Sequence, residues 1–294
     1  MSLTARNGPE LASEEDPLAD FGPERPALTR WLDRLRIACV LAGVGVVTLV
    51  GIPLQWLSLR LNLPSRRLIP LLFHRIVLRL IGVRVKRIGA PAAQRPMLIL
   101  SNHTSWLDIC VVGSLTPLFF VAKSEVGTWP LIGLFARFQR TVFVDRSRRT
   151  ATGAVNQEIA ARLAEGDPVV LFAEGTSTDG NRVQPFRSAL VGAVREAFAA
   201  SGAVVVQPMA VSYVGLQGLP MGRRHRPIAS WYGDMDLAPH LLEVLRHGAM
   251  DVEVRFGAPI TLADDHDRKA VTRAAETEVR RLHLEALTGR STGT

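Results

Sequence analysis

From Ile37 through Leu59 no residue is charged, and this apolar run of 23 residues restricts how the chain of 294 can be arranged. Helix crossing the hydrocarbon core of a bilayer needs ~20 residues, so the run is long enough to span. Arg34 and Arg36 precede it, and Arg60, Arg66 and Arg67 follow. Orientation in a membrane is set by an asymmetry of basic flanks, and these flanks provide none. Pro53, Gly43, Gly45 and Gly51 weaken a straight helix. A single span, a bent or re-entrant hairpin and an interfacial anchor all fit the run better than a buried core helix does. Residues 66–87 mix arginines with Leu, Ile, Val and Phe at near-helical intervals. They describe a basic amphipathic helix for an anionic membrane surface, or equally a helix packed on a domain with its arginines solvated. Residues 31–88 are therefore read as N-terminal membrane-anchoring helices. Residues 1–30, rich in Pro, Glu, Asp and Gly, read as a disordered tail without the basic start and apolar core of a secretory signal.

A formal net charge of +8 points to anionic partners, and 47% hydrophobic content raises the expectation of membrane association. Lys86, Lys123 and Lys269 are the only lysines, so the basicity is almost all arginine, suited to bidentate contact with phosphate or carboxylate. Nucleic acid is not an expected partner: aromatic content is 6% and no basic–aromatic interleaving forms a stacking platform. No zinc-ligand spacing occurs, and no metal is expected. Cys39 and Cys110 both sit in apolar runs, which favours buried, reduced thiols over a disulfide.

After Gly89 the pattern changes. Strands are expected over 97–100, 118–122, 141–144, 169–173 and 204–211, with 252–256 alternating like an exposed edge strand. Helices are expected over 107–115, 129–137, 150–165, 187–201, 237–246 and 267–287. Alternation of this kind predicts an α/β domain over 89–290, a largely parallel mixed sheet flanked by helices, with ligand sites at strand ends.

Four strand ends carry polar residues. Met97-Leu98-Ile99-Leu100 runs into Asn102-His103-Thr104-Ser105-Trp106-Leu107-Asp108. Side chains five apart on one helix do not meet. His103 and Asp108 can face each other only if His103 precedes the helix that contains Asp108; the carboxylate would then fix one imidazole nitrogen and leave the other to take a proton. A structural histidine beside a dipole-stabilising aspartate fits the same residues. Phe143-Val144-Asp145-Arg146 offers an anion clamp or a solvated basic loop. Phe172-Ala173-Glu174-Gly175-Thr176 opens onto Ser177 and Arg182, with Glu174 as an acceptor for ligand hydroxyls or, alternatively, a plain turn. Gln207-Pro208-Met209 interrupts a strand with proline, which favours an edge or a bulge.

In this order and spacing, the four segments resemble the motifs of the glycerolipid acyltransferase family, whose best-known members are 1-acylglycerol-3-phosphate acyltransferases. The likeness covers residues 90–215. It implies an enzyme that esterifies the free hydroxyl of a lysolipid, using acyl-CoA or acyl-carrier protein as co-substrate and no cofactor. It implies His103 as base and Asp108 as its orienting partner. Asn102, Asp145, Arg146, Glu174, Gly175, Thr176, Ser177 and Arg182 would hold the acceptor, and Pro208 would shape an apolar site. The membrane expected is the cytoplasmic (inner) one, with the site facing the cytoplasm. No Gly-x-Ser-x-Gly elbow is present, which argues for direct transfer to the substrate hydroxyl over an acyl-enzyme. One position departs from the family pattern: Ser177 stands where an arginine usually follows Glu-Gly-Thr. With Asp179-Gly180-Asn181-Arg182, the departure resembles the bacterial branch that acylates lyso-ornithine lipid, an acceptor without phosphate; lysophosphatidate and lyso-ornithine lipid both remain open. An esterase and a non-catalytic membrane tether are the rival classes. Asp234-Met235-Asp236 reads as a loop or helix cap. Gly222-Arg223-Arg224-His225-Arg226 is either a basic loop for headgroups or CoA phosphates, or a solvated run.

Overall fold

A computed structural model describes residues 27–144, 152–188, 204–262 and 268–289. The apolar run lies within one helix, α1 (Ala27–Arg60), which continues through Pro53 without a break. Its span Trp31–Arg60 is apolar and almost wholly unburied, so it is no core helix. Helix α2 (Ser65–Ile81) folds back on α1 and ends where Gly82 adopts a left-handed φ of 83°, a conformation that glycine enters without steric penalty. The basic segment is thus helical only to Ile81. Val83-Arg84-Val85-Lys86-Arg87-Ile88 switches to period two and forms β1 (Val83–Ile88).

The other elements are β2 (Met97–Ser101), α3 (Leu107–Gly113), β3 (Phe119–Lys123), α4 (Ile132–Phe138), β4 (Val142–Val144), α5 (Thr152–Ala164), β5 (Val169–Phe172), β6 (Val204–Leu216), β7 (Leu219–Pro220), α6 (Leu237–His247), β8 (Met250–Phe256), β9 (Ile260–Leu262) and α7 (Arg268–Thr288). The strands form one sheet in the order β1-β8-β6-β2-β5-β3-β4, with β7 and β9 paired to β6. Strands β6, β2, β5, β3 and β4 are mutually parallel, and β8 runs antiparallel to β6. The mixed, largely parallel α/β architecture expected from the alternation is the one observed. Part of the helix expected over 187–201 lies outside the described residues.

Two strand assignments change. Strand β8 is interior, because β1 covers its outer side; Arg84–Asp251 (2.7 Å) and Lys86–Glu253 (2.9 Å) link the two. Those two basic residues are therefore matched by carboxylates and not by headgroups. Pro208 also lies on an interior strand, between β2 and the β8/β9 side. Its carbonyl accepts from Gly257 N (2.9 Å), so its nitrogen faces the gap between β8 and β9, where no acceptor requires an N–H.

Helices cover both faces. Leu107, Val111, Val77, Leu78, Val244 and Leu245 pack on one side of the sheet. Ile159, Leu163, Val271, Ala275, Val279 and Leu282 pack on the other. All five residues of β2 are buried, which fits its apolar run Met97–Leu100; each large side chain of this kind contributes about 1.5–3 kcal/mol. This rigid centre fixes the strand ends at which the polar motifs sit.

Candidate active site

Strands β2 and β5 are parallel neighbours with Ser101 opposite Phe172, so His103 and Glu174 leave the same edge of the sheet side by side. As β2 ends, Asn102 continues its pairing through the side chain: Oδ1 accepts from Val211 N and Nδ2 donates to Val211 O, both at 2.9 Å. Buried and doubly engaged, Asn102 is an anchor for the turn. Its amide is not directed at a ligand.

The turn brings His103 onto Asp108, with Nδ1 2.8 Å from Oδ2. The same oxygen accepts from the N–H groups of Thr104 (2.7 Å) and Ser105 (3.0 Å), while Tyr213 OH donates to Oδ1 (2.7 Å). Four donors thus engage the carboxylate, three at Oδ2 and one at Oδ1. One carboxylate accepts from the free N–H groups before α3 and holds the imidazole through Nδ1. With Nδ1–H donating to Asp108, Nε2 is the proton-accepting atom, and it has no protein partner among the described residues. The Asp108 side chain is 0% exposed and that of His103 20%, so the imidazole is the part of the pair that reaches the outside. Phe172 stacks beneath the ring at 4.2 Å and 18°.

Glu174 takes a different part from the one its sequence suggests. It is buried, Oε2 accepts from His103 N (2.8 Å), and Oε1 accepts from Gln184 N (2.6 Å). Burial pushes its carboxyl up to about 8, against the pull of those two N–H donors. Glu174 thus ties the histidine turn to the following loop, with one backbone N–H on each of its oxygens. Gly175, at φ 76°, makes the turn that returns its N–H to Phe172 O (3.1 Å). Thr176 is exposed and Ser177 half-buried; with Asp179, Arg182, Arg187 and Tyr232 they line an open groove of about 690 Å³ beside Glu174. The Asp179–Arg182 turn is pressed so closely on Thr104, Ser230 and Arg226 that a Cβ on Gly180 would stand 2.9 Å from Thr104 Cγ2. Buried Arg226 bonds Asn181 Oδ1 and Met221 O, so the basic loop is partly built into this wall.

Asp145 and Arg146 lie outside the described residues. Pro208 is not brought to the dyad: alternation puts its ring on the face of Val206 and Ala210, opposite Tyr213. Cys110 follows Asp108 closely, but burial and then the nearby Asp108 push its thiol up to about 12, so it is no thiolate nucleophile. Burial, and next the Asp108 charge, raise the Tyr213 hydroxyl well above its ordinary range, which keeps it a donor. Tyr213 is a site residue outside the motifs, and Phe172 stands in one of them without its stacking on His103 being legible there.

A parallel-strand edge presents an Asp-oriented histidine, and among the described residues no protein nucleophile bonds that histidine. The family model "Acyltransferase" matches residues 82–212. The chain is 49% identical over 258 residues to a lyso-ornithine lipid O-acyltransferase of Brucella abortus (strain 2308), covering 87% of this chain and 97% of the relative. It is 46% identical to one of Rhizobium meliloti (strain 1021), covering 84% and 85%, and 30% identical to a 1-acyl-sn-glycerol-3-phosphate acyltransferase of Neisseria gonorrhoeae, covering 66% and 72%. The crystal structure of the 1-acyl-sn-glycerophosphate acyltransferase from Thermotoga maritima shares the fold, with a TM-score of 0.54 and 18% identity over 89% of this chain and all of that one. The chain belongs to the acyltransferase family and is a membrane-associated lysolipid O-acyltransferase.

Proposed function

We propose that the chain acylates lyso-ornithine lipid at the cytoplasmic face of the inner membrane, drawing the acyl group from acyl-CoA or acyl-carrier protein. The observation that carries the chemistry is the free Nε2 of an imidazole locked to buried Asp108. Nε2 removes the proton of the lysolipid hydroxyl as its oxygen attacks the thioester carbonyl carbon. The new C–O bond forms, the C–S bond breaks, and the proton held on His103 passes to the leaving thiolate. Asp108 stabilises the imidazolium in between.

The groove supports this acceptor. Ser177 occupies the place of the family's usual arginine, and an ornithine headgroup carries a carboxylate and an ammonium but no phosphate. The exposed Arg182 and Arg187 suit the carboxylate, and the names of the first two relatives agree. A panel of labelled acyl donor with lyso-ornithine lipid and lysophosphatidate tests this. Transfer to lyso-ornithine lipid is expected to be favoured more than about tenfold, the scale of one unmatched charged hydrogen bond. Preference for lysophosphatidate would refute the acceptor, and turnover of neither would refute the activity.

Contacts along α1 support an in-plane anchor over a span. Arg36 lies against Gly248, Val40 joins the core beside α6, and Gln55 Nε2 donates to Phe138 O (2.8 Å). From Arg36 to Gln55 is 19 residues, or about 28 Å of helix, close to the ~30 Å thickness of the hydrocarbon core. A perpendicular span would drag the polar domain into lipid.

A further inference from the structure

We propose that the segment from Trp129 to Phe135, part of the catalytic domain, is a second membrane-contact element that dips into the bilayer surface beside α1 and α2. The proposal rests on the membrane association of α1. Trp129, Leu131 and Leu134 are 37%, 55% and 38% exposed. Their apolar surface continues that of the anchor helices, where Leu49, Trp56, Leu68 and Leu72 are also exposed. The continuity is physical: Phe135 packs its ring on Phe73 of α2 at 5.5 Å, and the C-terminal end of α4 receives the Gln55 hydrogen bond from α1.

The backbone makes the same point. Leu131 has φ 64° and ψ −54°, and Ile132 N bonds Pro130 O at 2.7 Å. This is a γ-turn with a positive central φ, rare and strained for a leucine. In water the strain would serve only to hold an apolar side chain out in solvent. Against lipid, the same turn drives Leu131 into the acyl region and sets the Trp129 indole at headgroup level, where tryptophan is favoured. The segment is held stiffly, since a Cβ on Gly133 would overlap the Gly127 carbonyl.

Position gives the contact a purpose. The segment follows β3, whose C-terminal end lies on the same sheet edge as His103. Trp129 meets Trp231 edge to face at 6.0 Å, and Trp231 N–H bonds Thr104 O (2.9 Å) in the histidine turn. The bilayer surface, this segment and the turn bearing the base are thereby one connected structure, with the mouth of the site at the level where a lysolipid hydroxyl lies.

The test uses full-length protein with Cys39→Ala, carrying an environment-sensitive fluorophore on one of three introduced cysteines: Leu131→Cys, Leu49→Cys on α1, or Leu284→Cys, 55% exposed on α7 across the sheet. Vesicles of phosphatidylcholine and phosphatidylglycerol are added, with and without spin-labelled acyl chains. Blue-shifted emission and spin-label quenching are expected at positions 131 and 49 and not at 284. A response at 49 with none at 131 would overturn the proposal and leave the anchor standing. Silence at both would refute the membrane role of α1 and the proposal with it, and equal quenching at 284 would deny any oriented contact.

Discussion

His103→Ala is expected to lower acyl transfer by on the order of 10³–10⁴-fold, the upper range for loss of a positioned base, while the protein still folds and binds vesicles. The imidazole makes one side-chain hydrogen bond, to Asp108, and rests on Phe172, whereas the turn itself is held through backbone groups. Its N–H goes to Glu174, and its carbonyl accepts from Thr178 N (3.1 Å). Alanine keeps both. Turnover measured alongside vesicle flotation separates the two properties: retained turnover would remove His103 from the mechanism, and lost flotation would show that the variant reports on folding.

Asp108→Asn is expected to reduce turnover by on the order of 10²–10⁴-fold with a loss of thermal stability well below that of Asp108→Ala. The three donors at Oδ2 force the amide oxygen to take that place and put the NH₂ group opposite Tyr213, whose hydroxyl can rotate to accept. The three donors at Oδ2 keep their acceptor and the Tyr213 O–H loses its own, so the chief loss is the carboxylate that stabilises the imidazolium. Asp108→Ala, in contrast, would strand four donors, each unmade bond costing about 1–3 kcal/mol, and would mix unfolding with catalysis. A thermal melt beside the kinetic measurement checks the distinction: near-normal turnover in the asparagine variant would mean that Asp108 only shapes the turn.

The parts of this molecule legible in the sequence are those set by local pattern. Apolar runs gave the strands at 97–100 and 169–173, and the spacing of His103 and Asp108 allowed a meeting only across a helix start, which is where they meet. Residues placed by long-range pairing were not legible. Tyr213 lies 105 residues beyond Asp108 and reaches it because β6 runs beside β2. Nothing around Val-Ser-Tyr-Val hints at that contact. Glu174 stands in a motif that suggests ligand binding, yet its burial and two backbone donors make it a brace, and only the register of β2 against β5 could reveal this. Pro208 reads as an edge signal because proline lacks an N–H, but β8 and β9 part at that point and the deficiency falls in their gap. The period-two run of β1 was hidden by arginines in step with the helix before it. Gly82, at the junction, was the available clue.

Direct transfer from thioester to lysolipid hydroxyl, with no acyl group ever held by the protein, is the central claim. Among the described residues no activated serine or thiolate stands at His103 Nε2, and half-buried Cys110, its pKa pushed up, stays a thiol. The most direct measurement is the intact mass of the protein after incubation with an excess of acyl thioester and no acceptor, followed by addition of lyso-ornithine lipid. The mass is expected to remain that of the unmodified chain, with acylated lipid appearing only after the acceptor is added. A stoichiometric acyl adduct on the protein, discharged when the lysolipid arrives, would contradict it.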